Sequence, residues 1–444
     1  MKEIVLTNQD AEDLRNALLS EIESSAILLA SVAASVDGER LLVRELLIAE
    51  PGDYTSRGVI DAELAPAFVA RATKRAKLEN LSLIFAHSHP GEHAPHFSST
   101  DSFGEARLAE FLAHRLPDMP HAAIVVSAGG WSARRLGSSE EVRVVSVGSE
   151  GRSALFEPDA GASATSAAKF DRQVRALGKD GQEAIASLRV GIVGLGGTGS
   201  IVAQQLAHLG VRDFILIDAD TIEETNLNRV VTATTSDIGL PKTAIAARYI
   251  ERFEPLARVR SVQGDITRTQ TALHLRDVDF IFGCTDSHGS RAVLQQIAYQ
   301  YLIPCIDVGS IITAADGTIA NIFGRVQLLA PGQACFTCGN LLDADEIRRD
   351  MMNDFERTLD PYIVGSREPA PAVISLNGTV VSLAITMFMA VVTALPASGR
   401  HLIYNACSAT LRSVRVMPKE GCYICSKHGS LARGDTQPLF ARTG

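Results

Sequence analysis

Lysine and arginine nowhere gather into a block in this 444-residue chain, and its formal net charge is −9. A protein that neutralises many phosphates carries a basic stripe, so a nucleic-acid partner is excluded. The opening stretch, Met1 to Asp10, holds no long apolar segment, and no secretory signal peptide is read there. One long apolar run occurs, Thr379 to Leu395. It falls slightly short of the roughly 20 residues that a membrane span needs and lacks basic flanks. A buried core helix is expected there, and no membrane. No internal repeat is found, and low complexity is confined to one linker.

What is present describes a core-forming protein. Hydrophobic residues make up 46% and charged residues 21%, and the length implies two or three domains. Three stretches separate by composition: residues 1–145, with mixed helix-like and strand-like patterns; a Gly-, Ser- and Ala-rich linker over 146–168; and residues 169–444, where strands and helices alternate. That alternation, from Arg189–Val193 through a helix to Asp213–Asp218, is the grammar of a mostly parallel α/β sheet. Four of the seven cysteines form two CxxC pairs, which in a cytoplasmic-looking chain point to metal before disulfides.

In the first stretch, His87-Ser88-His89-Pro90 precedes Ser98-Ser99-Thr100-Asp101. Two imidazoles one residue apart at a strand end point the same way. A carboxylate on the following helix can complete a three-ligand set that leaves the fourth tetrahedral position open. These strings resemble the JAMM (MPN/JAB) zinc metalloproteases over roughly residues 10–140. The resemblance implies that His87, His89 and Asp101 hold a catalytic zinc, that Glu23, read as a helix start, is the general base, and that Ser98 stabilises the oxyanion. The interval from His89 to Asp101 is longer than the family's usual spacing, so His93 and His96 stand as substitute or extra ligands.

In the third stretch, Gly194-Leu195-Gly196-Gly197-Thr198-Gly199 follows a strand and opens a helix read from Ser200 to Leu209. Such glycines let backbone N–H groups approach phosphate at a helix N-terminus. Asp218, at the end of the next strand, lies where a ribose hydroxyl would be bound. To this point NAD and ATP fit equally. Asp220, Asn226, Arg229, Lys242 and Asp286 follow in order, and this supply of cations, amide and carboxylate suits an adenylation site using ATP and Mg2+.

The ordered set resembles the ubiquitin-activating/MoeB/ThiF family, from about Lys169 to His428. The resemblance implies a Rossmann-like domain that adenylates the C-terminal glycine of a ubiquitin-like or sulfur-carrier protein. By it Gly194, Gly196, Gly197 and Gly199 cradle phosphate, Asp218 binds ribose, Asn226 and Arg229 contact phosphates, and Asp220 lines the nucleotide site. Lys242 and Asp286 serve the reaction centre, Asp286 holding magnesium. Arg172 is an arginine finger supplied across a homodimer.

Cys335, Cys338, Cys422 and Cys425 have the spacing of a closed structural zinc site. Family members that pass the activated protein onward carry a reactive cysteine before the long apolar helix, yet none occurs from Gly339 to Ala406. Cys284, Cys305 and Cys407 are read as buried thiols. Either an outside nucleophile, a sulfur donor or a conjugating-enzyme-like protein, takes the acyl group from the adenylate, or Ser366 (with Tyr362, the hydroxyls of the 361–371 loop) forms an oxyester. The combined expectation is one chain that both cleaves at and activates a protein tail. Sulfur transfer through a thiocarboxylate and adenylation of a peptide C-terminus are the alternatives.

Overall fold

The computed structural model describes residues 1–59, 61–158, 168–315, 318–353, 356, 371–393 and 395–443. Its N-terminal half runs β1 (Glu3–Thr7), α1 (Asn8–Leu18), β2 (Ser25–Ser35), β3 (Gly38–Ile48), β4 (Tyr54–Arg57), β5 (Ala62–Leu64), α2 (Pro66–Glu79), β6 (Ser82–Ser88), α3 (Ser99–Arg115), β7 (Ala122–Ser127), β8 (Gly130–Arg135), β9 (Arg143–Gly148) and β10 (Gly151–Phe156). Eight of these strands form one sheet in the order β10-β9-β1-β3-β2-β6-β7-β8. Residues of β2 alternate between two cores. Ala26, Leu28 and Ala30 face the side where Leu14 and Leu18 of α1 pack, while Ile27 and Leu29 pack with Phe68 and Ala72 of α2 and Leu112 of α3. A strand covered on both faces reads as a continuous apolar run, as β2 does. Beside it, Ser25 pairs with His87 at the end of β6.

The second half runs α4 (Asp171–Ser187), β11 (Arg189–Val193), α5 (Gly197–Leu209), β12 (Asp213–Asp218), α6 (Lys242–Phe253), β13 (Arg258–Gln263), α7 (Thr269–Ala272), β14 (Phe280–Gly283), α8 (His288–Gln300), β15 (Cys305–Ala315), β16 (Thr318–Leu329), α9 (Ala344–Met351), α10 (Ile374–Val392), β17 (His401–Asn405) and β18 (Thr410–Ser413). Its sheet has the order β13-β12-β11-β14-β15-β16-β17-β18. The first five strands are parallel and the remainder antiparallel. The carboxyl ends of β11, β12 and β14 therefore open on one edge, where ligands of such sheets bind. Helix α10 is apolar and long enough to cross a membrane by length and composition. It packs Val380, Ala384 and Phe388 into the sheet's core, and Gly324 of β16 has no side chain where Val380 lies.

The linker expected over 146–168 is in part a strand. β10 pairs antiparallel with β9, and Gly151, at φ +96°, has Val391 at the end of α10 where a side chain would stand. Gly151 serves close packing between the halves, which composition alone reads as looseness. The seam is ionic as well as apolar. Fully buried Glu3 meets Arg40 at 2.6 Å and Arg152 at 2.5 Å, and Arg152 reaches Asp279 across the seam at 3.3 Å. Removing the shared cation leaves two buried carboxylates without it. Arg152→Ala is expected to cost about 3–5 kcal/mol, read as a lower urea midpoint at unchanged slope. A midpoint within error of the native chain would contradict this.

Candidate functional site

The segment that carries Glu23 is clamped before β2 begins. Its N–H donates to the Gly58 carbonyl at 2.8 Å, its own carbonyl accepts from Arg57 Nε at 2.9 Å, and Ser24 N–H donates to Ser88 Oγ at 3.0 Å. Glu23 thus sits beside the end of β6 in an irregular segment; the helix start expected there is not formed, because the chain is already entering the β2 ladder. His87 and His89 present their Nε2 atoms 3.2 Å apart. Asp101 meets them at 3.2 and 3.4 Å through its two oxygens. A tetrahedron with bonds of zinc–nitrogen length has edges of about 3.3 Å, so the three donors already stand at ligand spacing.

Local structure explains why Asp101 is there. Ser98 and Asp101 form a capping box that starts α3: Asp101 N–H donates to Ser98 Oγ at 3.1 Å, and Ser98 N–H to Asp101 Oδ2 at 2.6 Å. Burial opposes the Asp101 charge, but hydrogen bonds from His87, His89 and the Ser98 backbone outweigh it and hold the carboxyl well below the usual range. Burial pushes Glu23 the other way, upward, against the pull of His87 and His89. A carboxyl whose affinity for a proton is raised, set beside the three-donor cluster, is placed for general-base work. His93 and His96 are exposed and lie outside the three-donor cluster; the loop that carries them is tied to the β7–β8 turn through Ser127 Oγ and the His93 carbonyl.

On the open edge of the second sheet, a cavity of about 500 Å³ gathers residues from four strand ends. Gly194, Gly196, Gly197 and Thr198 line it with Asp218, Asp220, Asn226, Arg229, Lys242 and Asp286. Gly199 stands just behind, where a side chain would meet the Gly194 carbonyl. Asp218 organises the turn. Its oxygens accept from Leu195 N–H at 2.6 Å and Asp220 N–H at 2.8 Å, while burial raises its pKa against the pull of Lys242. Lys242 Nζ pairs with Asp220 Oδ2 at 2.7 Å. Arg229 donates to the Thr225 carbonyl at 2.5 Å. Asn226 is buried and caps a short turn by accepting from Glu223 N–H at 3.2 Å, so part of its amide is already engaged. Arg291, Ser310 and Asn377 also line the cavity, and the sequence did not point to them. Only the position of Arg291, five residues after Asp286, could have done so.

Arg172 is not brought to this cavity: it is exposed in the first turn of α4, within a single chain. The four cysteines of the CxxC pairs converge, buried, with Sγ separations of 3.6, 3.6 and 3.5 Å along Cys335–Cys338, Cys335–Cys422 and Cys338–Cys425. Thiolates at zinc–sulfur distance stand about 3.8 Å apart, so this donor set fits a closed tetrahedral metal. Cys305 is buried, as expected, but Cys284 is only half-buried and Cys407 is exposed. Cys407 lies in the turn between β17 and β18, two residues before Ala409 at φ 51°, where the apolar strand pattern has already ended. Tyr362 and Ser366 lie outside the described residues.

The ThiF family matches residues 170–424, leaving residues 1–169 outside the match. The chain is 27% identical to the molybdopterin-synthase adenylyltransferase of Escherichia coli over 263 residues, 58% of this chain and 96% of the relative. It is 25% identical to the SAMP-activating enzyme E1 of Haloferax volcanii, over 57% of this chain and 86% of the relative. Among solved structures, Escherichia coli MccB with ATP superposes at a TM-score of 0.47 and 20% identity, covering 59% of this chain and 75% of that one. With more than half of its residues inside the family match, the chain belongs to the ThiF family.

Proposed function

We propose that the C-terminal half adenylates the C-terminal carboxylate of a ubiquitin-like or sulfur-carrier protein, and that the N-terminal half is a JAMM-type zinc hydrolase acting at the same tail. The observation that carries the first part is the single cavity in which a glycine turn, Asp218, Arg229, Lys242 and Asp286 stand together. The names of the relatives support it. In this reading ATP lies with its ribose at Asp218 and its phosphates over the glycine turn, and Arg229 and Lys242 balance their charge. Asp286 contributes a carboxylate for Mg2+. A second chain supplies Arg172, which makes the working unit a homodimer in the cytoplasm.

The second part rests on the donor spacing of His87, His89 and Asp101 beside a carboxyl of raised pKa. Zinc bound there supplies Lewis acidity and an activated water. Glu23 would be the residue that takes up a proton and passes it to the leaving amine, and Ser98 would stabilise the oxyanion. Zinc in the thiolate set is structural, because four cysteines leave no open position. The domain boundaries that follow are a hydrolase that runs past the expected limit of 145 to the end of β10 at Phe156, and an adenylyltransferase over 169–444. The acyl group then leaves to an outside acceptor, either a sulfur donor or a conjugating-enzyme-like protein. Ser366 is the internal alternative.

The test is ATP–pyrophosphate exchange with the purified chain, Mg2+ and a ubiquitin-like protein ending in Gly-Gly, alongside cleavage of the same protein extended past that glycine. Exchange that depends on the protein, and trimming that stops with a zinc chelator, are expected. Absence of exchange with such a protein overturns the first part, and trimming that survives chelation overturns the second.

A further inference from the structure

We infer that Arg291 receives the carboxylate of the incoming tail, held in place by Asp307 and Arg325; the assignment rests on the adenylation reading above. The sheet order sets out the space. Asp218 ends β12, on one side of the glycine turn that follows β11, whereas Asp286 follows β14 and Val308–Ser310 belong to β15, on the other side. A nucleoside at Asp218 with phosphates over the turn leaves the β14–β15 side of the cavity for the second substrate.

Charge then singles out one residue. The cavity is lined by three cations among the described residues, Arg229, Lys242 and Arg291. Lys242 is paired with Asp220, and Arg229 is turned toward the Thr225 carbonyl, both near the nucleotide end. Arg291 is the cation on the β15 wall. Its Nε donates to Asp307 Oδ1 at 3.1 Å, and Asp307 also receives Arg325 Nη2 on its other oxygen at 2.7 Å. Asp307 is 1% exposed, so its charge is fully engaged inside the protein. Two guanidinium groups share one carboxylate, which leaves a surplus positive charge on a side chain that reaches the cavity. A guanidinium held through Nε keeps its outer N–H groups for a planar, bidentate acceptor.

The wall is shaped to allow this. A Cβ at Gly309 would lie 3.1 Å from Arg291 Nη2, so the glycine leaves that edge of the guanidinium uncovered. Ser310 Oγ donates to Asn377 Oδ1 at 3.0 Å, tying β15 to the start of α10. In the step served, a carboxylate oxygen attacks the α-phosphorus, the bond from that phosphorus to the bridging oxygen breaks, and pyrophosphate leaves with the electron pair. No proton moves. Arg291 is a binding residue that orients the carboxylate, and Asp307 is a positioning residue that orients Arg291.

The experiment measures exchange kinetics with the full-length chain and a Gly-Gly-terminated ubiquitin-like protein, varying protein and ATP separately. A charge-assisted bidentate contact is worth about 1.5–3 kcal/mol, roughly a tenfold to hundredfold effect. Arg291→Ala is expected to raise the KM for the protein by about that factor and to leave the KM for ATP within about twofold. Arg291→Lys is expected to recover part of the loss, and Gly309→Ala to shift the same constant in the same direction. Direct ATP binding to each variant, without protein, reports that the nucleotide site is intact. A parallel rise in both constants would make Arg291 a phosphate ligand and overturn the assignment, as would an unmoved protein KM. Absence of exchange by the native chain overturns the adenylation reading itself.

Discussion

Asp101→Ala is expected to lower the zinc content of the purified chain from two ions to one. The remaining ion belongs to the thiolate set, which shares no residue with the first. Asp101 supplies one of three donors, and its oxygens stand 3.2 and 3.4 Å from the two imidazoles. Loss of even an outer-shell partner weakens metal binding about tenfold to a hundredfold, and loss of a direct ligand should exceed that. The same carboxylate also caps α3 through Ser98 N–H, so alanine carries a structural cost of about 1 kcal/mol. Asp101→Asn separates the two roles, because an amide oxygen can still cap the helix while the anionic ligand is gone. Both variants should therefore lose zinc to a mild chelator, and only alanine should shorten the helix's lifetime in hydrogen exchange. Acid should have a related effect. The hydrogen bond to Asp101 raises the pKa of His89 in the metal-free site, so protons compete for that nitrogen from above the usual imidazole range downward. Two firmly held zincs in Asp101→Ala would refute the ligand set.

These side chains were legible in the sequence because each site is built at element junctions of short range. His87 and His89 flank a strand end, Asp101 occupies the third position of a capped helix, and the glycine turn joins β11 directly to α5. In such places residue type and spacing dictate geometry before tertiary packing is known. Arg291, Ser310 and Asn377 were not legible for the opposite reason. They enter the cavity of the second sheet from α8, β15 and α10, and nothing local distinguishes an asparagine at the head of an apolar helix from a tolerated polar residue. The strand β10 was hidden by its composition. Gly151 there reflects the absence of room against Val391, and a residue count cannot tell close packing from flexibility. Cys407 was misread because its strand ends sooner than its apolar neighbours suggest. Arg172 is a different case, since the role expected of it needs a second chain.

Lys242→Ala should have the larger effect on the adenylation half, lowering ATP–pyrophosphate exchange by about a hundredfold to a thousandfold. The lysine opens α6 directly after Pro241, with its N–H bonded to the Asp220 carbonyl at 3.0 Å and its ammonium to the Asp220 carboxylate at 2.7 Å. Backbone and side chain are thus both anchored to one residue, and the side chain is only 11% exposed on the cavity wall. A cation held in this way pays little reorganisation when charge builds on a leaving phosphate, which is where preorganised electrostatics acts most strongly. Ground-state binding should suffer less, because in the proposed reading the glycine turn and Asp218 supply nucleotide contacts besides the lysine. The expected signature is a large fall in kcat with a change in ATP affinity of at most about tenfold. Removing Lys242 also frees the exposed Asp220 carboxylate beside the phosphates, so Lys242→Ala with Asp220→Asn should recover part of the rate by relieving that repulsion. If the double variant is no faster than Lys242→Ala, Asp220 is not an electrostatic burden on the site, and the pair serves only to hold the start of α6.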